Sequence, residues 1–191
     1  MTERHEPTLF VVSGSQGAGK STVAQLLARR FDPGAWVSAD LLHKMIVSGG
    51  RWPEGAAMSG TAERQLWLRL RHACLLGQSF VANGITAVLD DIVIGSRLDE
   101  LLDHLADERF VFVMLTPRLD VIRERERGRG TALWQQWEWL DHEIRTKTPR
   151  IGLWLDTSDQ TPDQTVDEIV ARGWTEGLVE APPRQTGGFR W

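Results

Sequence analysis

Short β-branched apolar runs alternate with stretches of helical spacing along most of the chain. Residues 8–13 (TLFVVS) form a compact apolar run ending at a glycine, which predicts a buried strand. Residues 21–30 carry leucines and alanines at helical spacing until Asp32-Pro33-Gly34 breaks the pattern. A second strand is predicted at 36–38, with Asp40 just past its carboxyl end. A short helix at 41–47 then stops at Ser48-Gly49-Gly50. Residues 51–60 show no period and read as a loop of functional length.

Residues 61–81 predict a helix with Leu66, Leu70, Cys74 and Leu75 on one stripe, closed by Asn83-Gly84. Strands follow at 85–89, 110–115 and 152–156, the first closed by Asp90-Asp91. Helices are predicted at 98–105, 119–127, around 134–144 and at 162–172, the last stopped by Gly173. Alternation of this kind predicts an α/β fold: a parallel sheet with helices on both faces and short right-handed crossovers. We expect one domain over residues 1–191, with a core at about 8–172 and a Pro/Gly-rich tail over 173–191.

Composition narrows the classes. With 191 residues, 41% apolar and 25% charged, the chain matches ordinary globular usage and not disordered, collagen-like or membrane sequences. A net charge of −4 offers no global basic surface, which disfavours nucleic acid as a partner. Cys74 is the only cysteine, and its apolar setting suggests a buried thiol. The polar start at 1–7 has the wrong order for a secretory signal, and no apolar stretch reaches the ~18 residues of a membrane span, so the expected location is the cytoplasm with no membrane contact.

One motif carries specific chemistry. Gly14-Ser15-Gln16-Gly17-Ala18-Gly19-Lys20-Ser21 fits G-x-x-x-x-G-K-[ST] between a strand and a helix, the context of a phosphate-binding P-loop, and Thr22 extends it into the helix. Glycines let successive N–H groups point inward, and the helix adds its positive end. Lys20 is expected at the β- and γ-phosphates of ATP and Ser21 on Mg²⁺. Asp40 stands where open sheets gather ligands and suits the base that takes a proton from an acceptor hydroxyl; its alternative role is to cap the following helix. Asp90 and Asp91 close a strand where a carboxylate can serve magnesium or substrate. We assign Asp90 to the metal and Asp91 to the substrate, although the sequence does not rank the pair.

Arg123, Arg125, Arg127 and Arg129 alternate with Glu124 and Glu126 before a Gly-Arg-Gly step. Arg123 and Arg127 read as a solvated face, and Arg125 and Arg129 as working residues of a small arginine-rich lid. Among the tryptophans around the expected acceptor, Trp67 and Trp137 read as packing and Trp52 as the substrate contact.

With these residues in place, the chain resembles the small P-loop phosphotransferases, most closely the chloramphenicol phosphotransferase-like group. The resemblance rests on the P-loop, on Ser38-Ala39-Asp40-Leu41-Leu42, on Asp90-Asp91-Ile92-Val93-Ile94-Gly95 and on the lid arginines. It implies a five-stranded parallel sheet of the nucleoside-monophosphate-kinase type, Asp40 as acceptor base, and a nucleotide-base loop at Asp156-Thr157-Ser158. The loop at 51–60 and the tryptophan-rich stretch depart from the chloramphenicol enzyme, so the resemblance guides the reaction and not the acceptor.

The leading expectation is an ATP- and Mg²⁺-dependent kinase of a small-molecule hydroxyl, such as an antibiotic. The Trp52 and Met58 segment would form its apolar wall. Alternatives are a polynucleotide, nucleotide or sugar kinase and, from another class, a regulatory NTPase switch. The arginine lid and the acceptor-position aspartate favour transfer over switching.

Overall fold

A computed structural model describes residues 6–53, 60–128 and 134–183, with the side chains of 134–137 outside that description. Arg129 and Met58 therefore lie outside the described residues. Five strands run parallel in the order β2 (Gly34–Ser38), β3 (Thr86–Asp90), β1 (Leu9–Gly14), β4 (Arg109–Leu115) and β5 (Leu153–Leu155). From β1 the chain winds to one side through β2 and β3, then to the other through β4 and β5. The carboxyl end of β1 is therefore the place where such sheets open a crevice.

β1 explains the layering. Its side chains alternate: Leu9 and Val11 enter the core under α3 (Gly60–Ala82) and α4 (Ser96–His104), while Phe10 and Val12 enter the core under α1 (Lys20–Ala28) and α7 (Pro162–Glu176). A strand covered on both faces has no polar side, hence its unbroken apolar run. Phe10 is fully buried, stacks edge-on against Trp174 at 5.2 Å and meets Phe31 at 5.4 Å. Each such burial contributes about 1.5–3 kcal/mol.

Three sequence expectations change. A sixth strand, β6 (Leu178–Glu180), pairs antiparallel with the first half of β4, while β5 pairs with its second half. Residues expected in a tail thus complete the sheet, and the Ala181 N–H donates to the Glu108 carbonyl. Gly173 does not stop α7, which continues to Glu176. A Cβ on Gly173 would lie 3.2 Å from Val111, so glycine serves there to bring helix and sheet together. Leu75 is exposed; only Leu66, Leu70 and Cys74 of the proposed α3 stripe are buried, because Leu75 sits about 100° further round the helix. Burial pushes the Cys74 thiol up to about 12, which fits a packing role. Among the described residues, no helix is long and apolar enough to cross a membrane.

Candidate active site

The phosphate loop lies between β1 and α1. Gly17 has φ 80°, in the left-handed region, and a Cβ there would meet Ile122 at 2.8 Å. Gly19, φ 96°, opens α1, whose first turn carries no acidic residue and no side-chain cap. The backbone N–H groups of that turn are therefore left for an anion. Lys20 folds back on the loop and donates to the Ser15 carbonyl at 2.8 Å. Burial pulls its ammonium below the ordinary lysine value, against the fields of Asp90, Asp40 and Asp91.

The two adjacent carboxylates part company. Asp90 accepts from the Ser21 hydroxyl at 2.7 Å and from the Trp36 indole N–H at 2.6 Å. Burial raises its pKa, with those two hydrogen bonds opposing. A hydroxyl and a carboxylate in contact beside a glycine-built cradle are the hard oxygen set that suits Mg²⁺, which needs only one or two protein ligands when phosphates supply the rest. Asp91 turns the other way, into an ion pair with Arg69, a second with Arg97 at 3.0 Å and a hydrogen bond from the Ile92 N–H at 2.7 Å. Burial works to raise its pKa, but Arg69 and Arg97 outweigh it and hold the carboxyl below the ordinary range.

Asp40 lies within the first turn of α2 (Ala39–Lys44). Ser38 occupies the cap position, so Asp40 is not the helix cap. Its Oδ1 accepts from Arg69 at 2.8 Å, and among the described residues nothing donates to Oδ2. Trp52 tilts over His43 with ring centroids 4.1 Å apart, and the Arg69 guanidinium lies 5.9 Å from its ring centre. Lys20, Ser21, Asp40, Trp52, Arg69, Asp90, Asp91 and Arg97 all line one cavity of about 410 Å³, walled further by Leu66, Ile92, Ile94 and Trp139.

Arg125 does not line that cavity. From α5 (Leu119–Gly128) it donates to the Ala18 carbonyl at 3.3 Å and to the Thr157 carbonyl at 2.8 Å, joining the phosphate loop to residues 156–158. Arg123 pairs with Glu138 at 2.9 Å, consistent with the solvated face expected of it. Arg69, Arg97 and Trp36 are site residues that the sequence reading passed over. Arg69 alone left a signal, as a charged residue in the buried α3 series Leu66, Arg69, Leu70, Ala73.

The fold has many solved counterparts. A sugar kinase from Janibacter sp. superposes with TM-score 0.64 at 20% identity, covering 86% of this chain and 93% of that one. The Deinococcus radiodurans tunicamycin resistance protein gives 0.63 at 22%, covering 93% and 99%. The Mycobacterium tuberculosis APS kinase, solved with AMPPNP and APS, gives 0.63 at 18%, covering 88% and 98%. At these identities the likeness establishes the P-loop kinase fold alone. No curated protein matches significantly. The family model described as chloramphenicol phosphotransferase-like protein matches residues 8–173. The chain therefore belongs to the chloramphenicol phosphotransferase-like family of P-loop phosphotransferases.

Proposed function

We propose that the protein transfers the γ-phosphoryl group of ATP to the hydroxyl of a small, partly apolar molecule. The observation that carries this reading is the shared cavity: Lys20 and Ser21 line it together with Asp40, Trp52 and Trp139, with no wall between them among the described residues. A switch that hydrolyses nucleotide needs a positioned water, not a second apolar chamber beside the phosphate loop.

In this reading the P-loop amides hold the phosphates and Lys20 leaves the Ser15 carbonyl for the β- and γ-oxygens. Ser21 and Asp90 hold Mg²⁺, which draws charge from the phosphates when bound. Arg69 pins Oδ1 of Asp40, leaving Oδ2 to accept the proton of the attacking hydroxyl. Asp91 serves the substrate side through the arginines it holds. Arg125 acts on the nucleotide side, between the phosphate loop and the 156–158 segment. Arg129 is the lid residue we assign to the transferring group.

The family and the likeness to a tunicamycin resistance protein support an antibiotic as acceptor. A cytoplasmic setting, where ATP is available, fits the same reading. The test is incubation with MgATP and a panel of hydroxylated antibiotics, sugars and nucleosides, read by mass. We expect one phosphoryl group added to a hydroxyl of a panel member. ATP hydrolysis at one rate, with or without any acceptor, would end the proposal.

A further inference from the structure

Among the described residues, the acceptor half of the cavity contains two guanidinium groups, and both are already answered. Arg69, with 7% of its side chain exposed, is held by Asp91 and Asp40. Arg97, 15% exposed, donates to Asp91 at 3.0 Å and through Nε to the Ile92 carbonyl at 3.1 Å. Asp91 itself is 1% exposed and accepts from Arg69, Arg97 and the Ile92 N–H. Among the described residues, two cations and two anions leave this half with no net charge, and Trp52, Leu66, Ile92 and Ile94 add none.

The geometry gives Asp91 a further meaning. Two planar guanidinium forks converging on one point are the usual seat of a carboxylate or phosphate. Here that seat is filled by a carboxylate tethered to the end of β3. A visiting anion could reach the arginines only by displacing a group that cannot leave, and would sit among the charges of Asp91 and Asp40. We propose that Asp91 is a specificity-determining residue: by occupying the seat between Arg69 and Arg97, it closes the cavity to carboxylate- and phosphate-bearing alcohols. Removing its charge converts the same cavity into an anion site. The inference rests on assigning this half to the acceptor.

The test is a binding experiment on the full chain with Mg²⁺ and AMPPNP filling the phosphate loop, so that an anion cannot report from there. Calorimetry compares a matched pair, meta-hydroxybenzoate and meta-hydroxybenzyl alcohol, which differ in one anionic group. Wild type should bind the carboxylate no better than the alcohol. Asp91→Ala, which empties the seat as well as removing the charge, should raise carboxylate affinity by about tenfold or more and leave the alcohol within about threefold. Adding Arg97→Met to Asp91→Ala should abolish the gain.

Because Asp91→Ala leaves two buried guanidinium groups short of a partner and could fail to fold, Asp40→Asn provides a second arm at an exposed carboxylate. It should shift preference the same way by about threefold. A wild type that prefers the carboxylate, or no shift in whichever variant folds, overturns the inference. Since binding is read without transfer, absence of kinase turnover would defeat the proposed function and leave this result intact.

Discussion

The two halves of the cavity are built on different plans. The nucleotide half is mostly one continuous segment, residues 14–22, whose glycines, lysine and serine take their places because a strand runs directly into a helix. The acceptor half is assembled from α2, the 51–53 segment, α3, residues 91–94 after β3, α4 and α6 (Trp134–Lys147), each giving one to three side chains. A contiguous site is fixed by local backbone geometry. A dispersed one depends on ion pairs that bridge elements, here Arg69 between Asp40 and Asp91. The first plan suits a ligand that does not vary, and the second a pocket that can change acceptor by single substitutions.

Substitutions at each half should therefore fail differently. The largest effect is expected for Lys20→Ala, which removes the cation that the proposed function brings to the β- and γ-phosphates. Steady-state kinetics should show turnover abolished and nucleotide binding weakened. Near-normal turnover in a folded variant would remove the basis for the nucleotide half.

Trp36→Phe sharpens the comparison, because Trp36 is a distant contributor to the otherwise local half. Without the indole N–H, Asp90 loses the partner of one oxygen. The Mg²⁺ concentration needed for half-maximal nucleotide binding should rise by about tenfold. Binding without metal, measured by calorimetry, should be unchanged. An equal loss with and without metal would assign Trp36 to packing alone.

Trp52→Ala tests the other side. Its ring lines the acceptor wall over His43, so the acceptor Michaelis constant should rise several-fold while ATP affinity stays constant. A change in ATP affinity would blur the division between the halves.

The smallest effect concerns support of the acceptor half. Glu100 on α4 is buried, neither carboxylate oxygen has a hydrogen-bond partner among the described residues, and burial pushes its pKa from 4.5 to about 8, with Arg97 opposing. Between those values the unfolded chain gives up this proton while the folded chain keeps it. The group's contribution to stability is thus present below 4.5 and lost as pH rises to about 8. Thermal unfolding should find Glu100→Gln a few degrees more stable than wild type near pH 8, with the gap closing towards pH 4.5. A gap independent of pH would mean that Glu100 does not titrate in this window.

The same contrast decides what was legible in the sequence. The P-loop could be read because its chemistry is contiguous, and the strand–helix alternation because its periods are strong. The roles of Asp90 and Asp91 could not be ranked without knowing which helix covers which face. Successive strand residues point to opposite faces, so Asp90 joins Val88 on the α1 side with Ser21 and Trp36, while Asp91 faces α3 and α4. Arg97 left no pattern, because a long side chain reaches partners that spacing does not specify. β6 escaped because three residues after a glycine carry little strand signal, and its pairing is fixed by distant β4.

In the proposed mechanism, Asp40 activates an acceptor hydroxyl beside a nucleotide bound independently of it. The most direct test is Asp40→Asn, measured once for MgATP affinity and once for phosphoryl transfer to the acceptor found by mass. Nucleotide affinity should be unchanged and transfer should fall about 10²–10⁴-fold, because the amide keeps the shape but cannot take the proton. Transfer within about tenfold of wild type would contradict that mechanism and leave Asp40 as no more than the partner of Arg69.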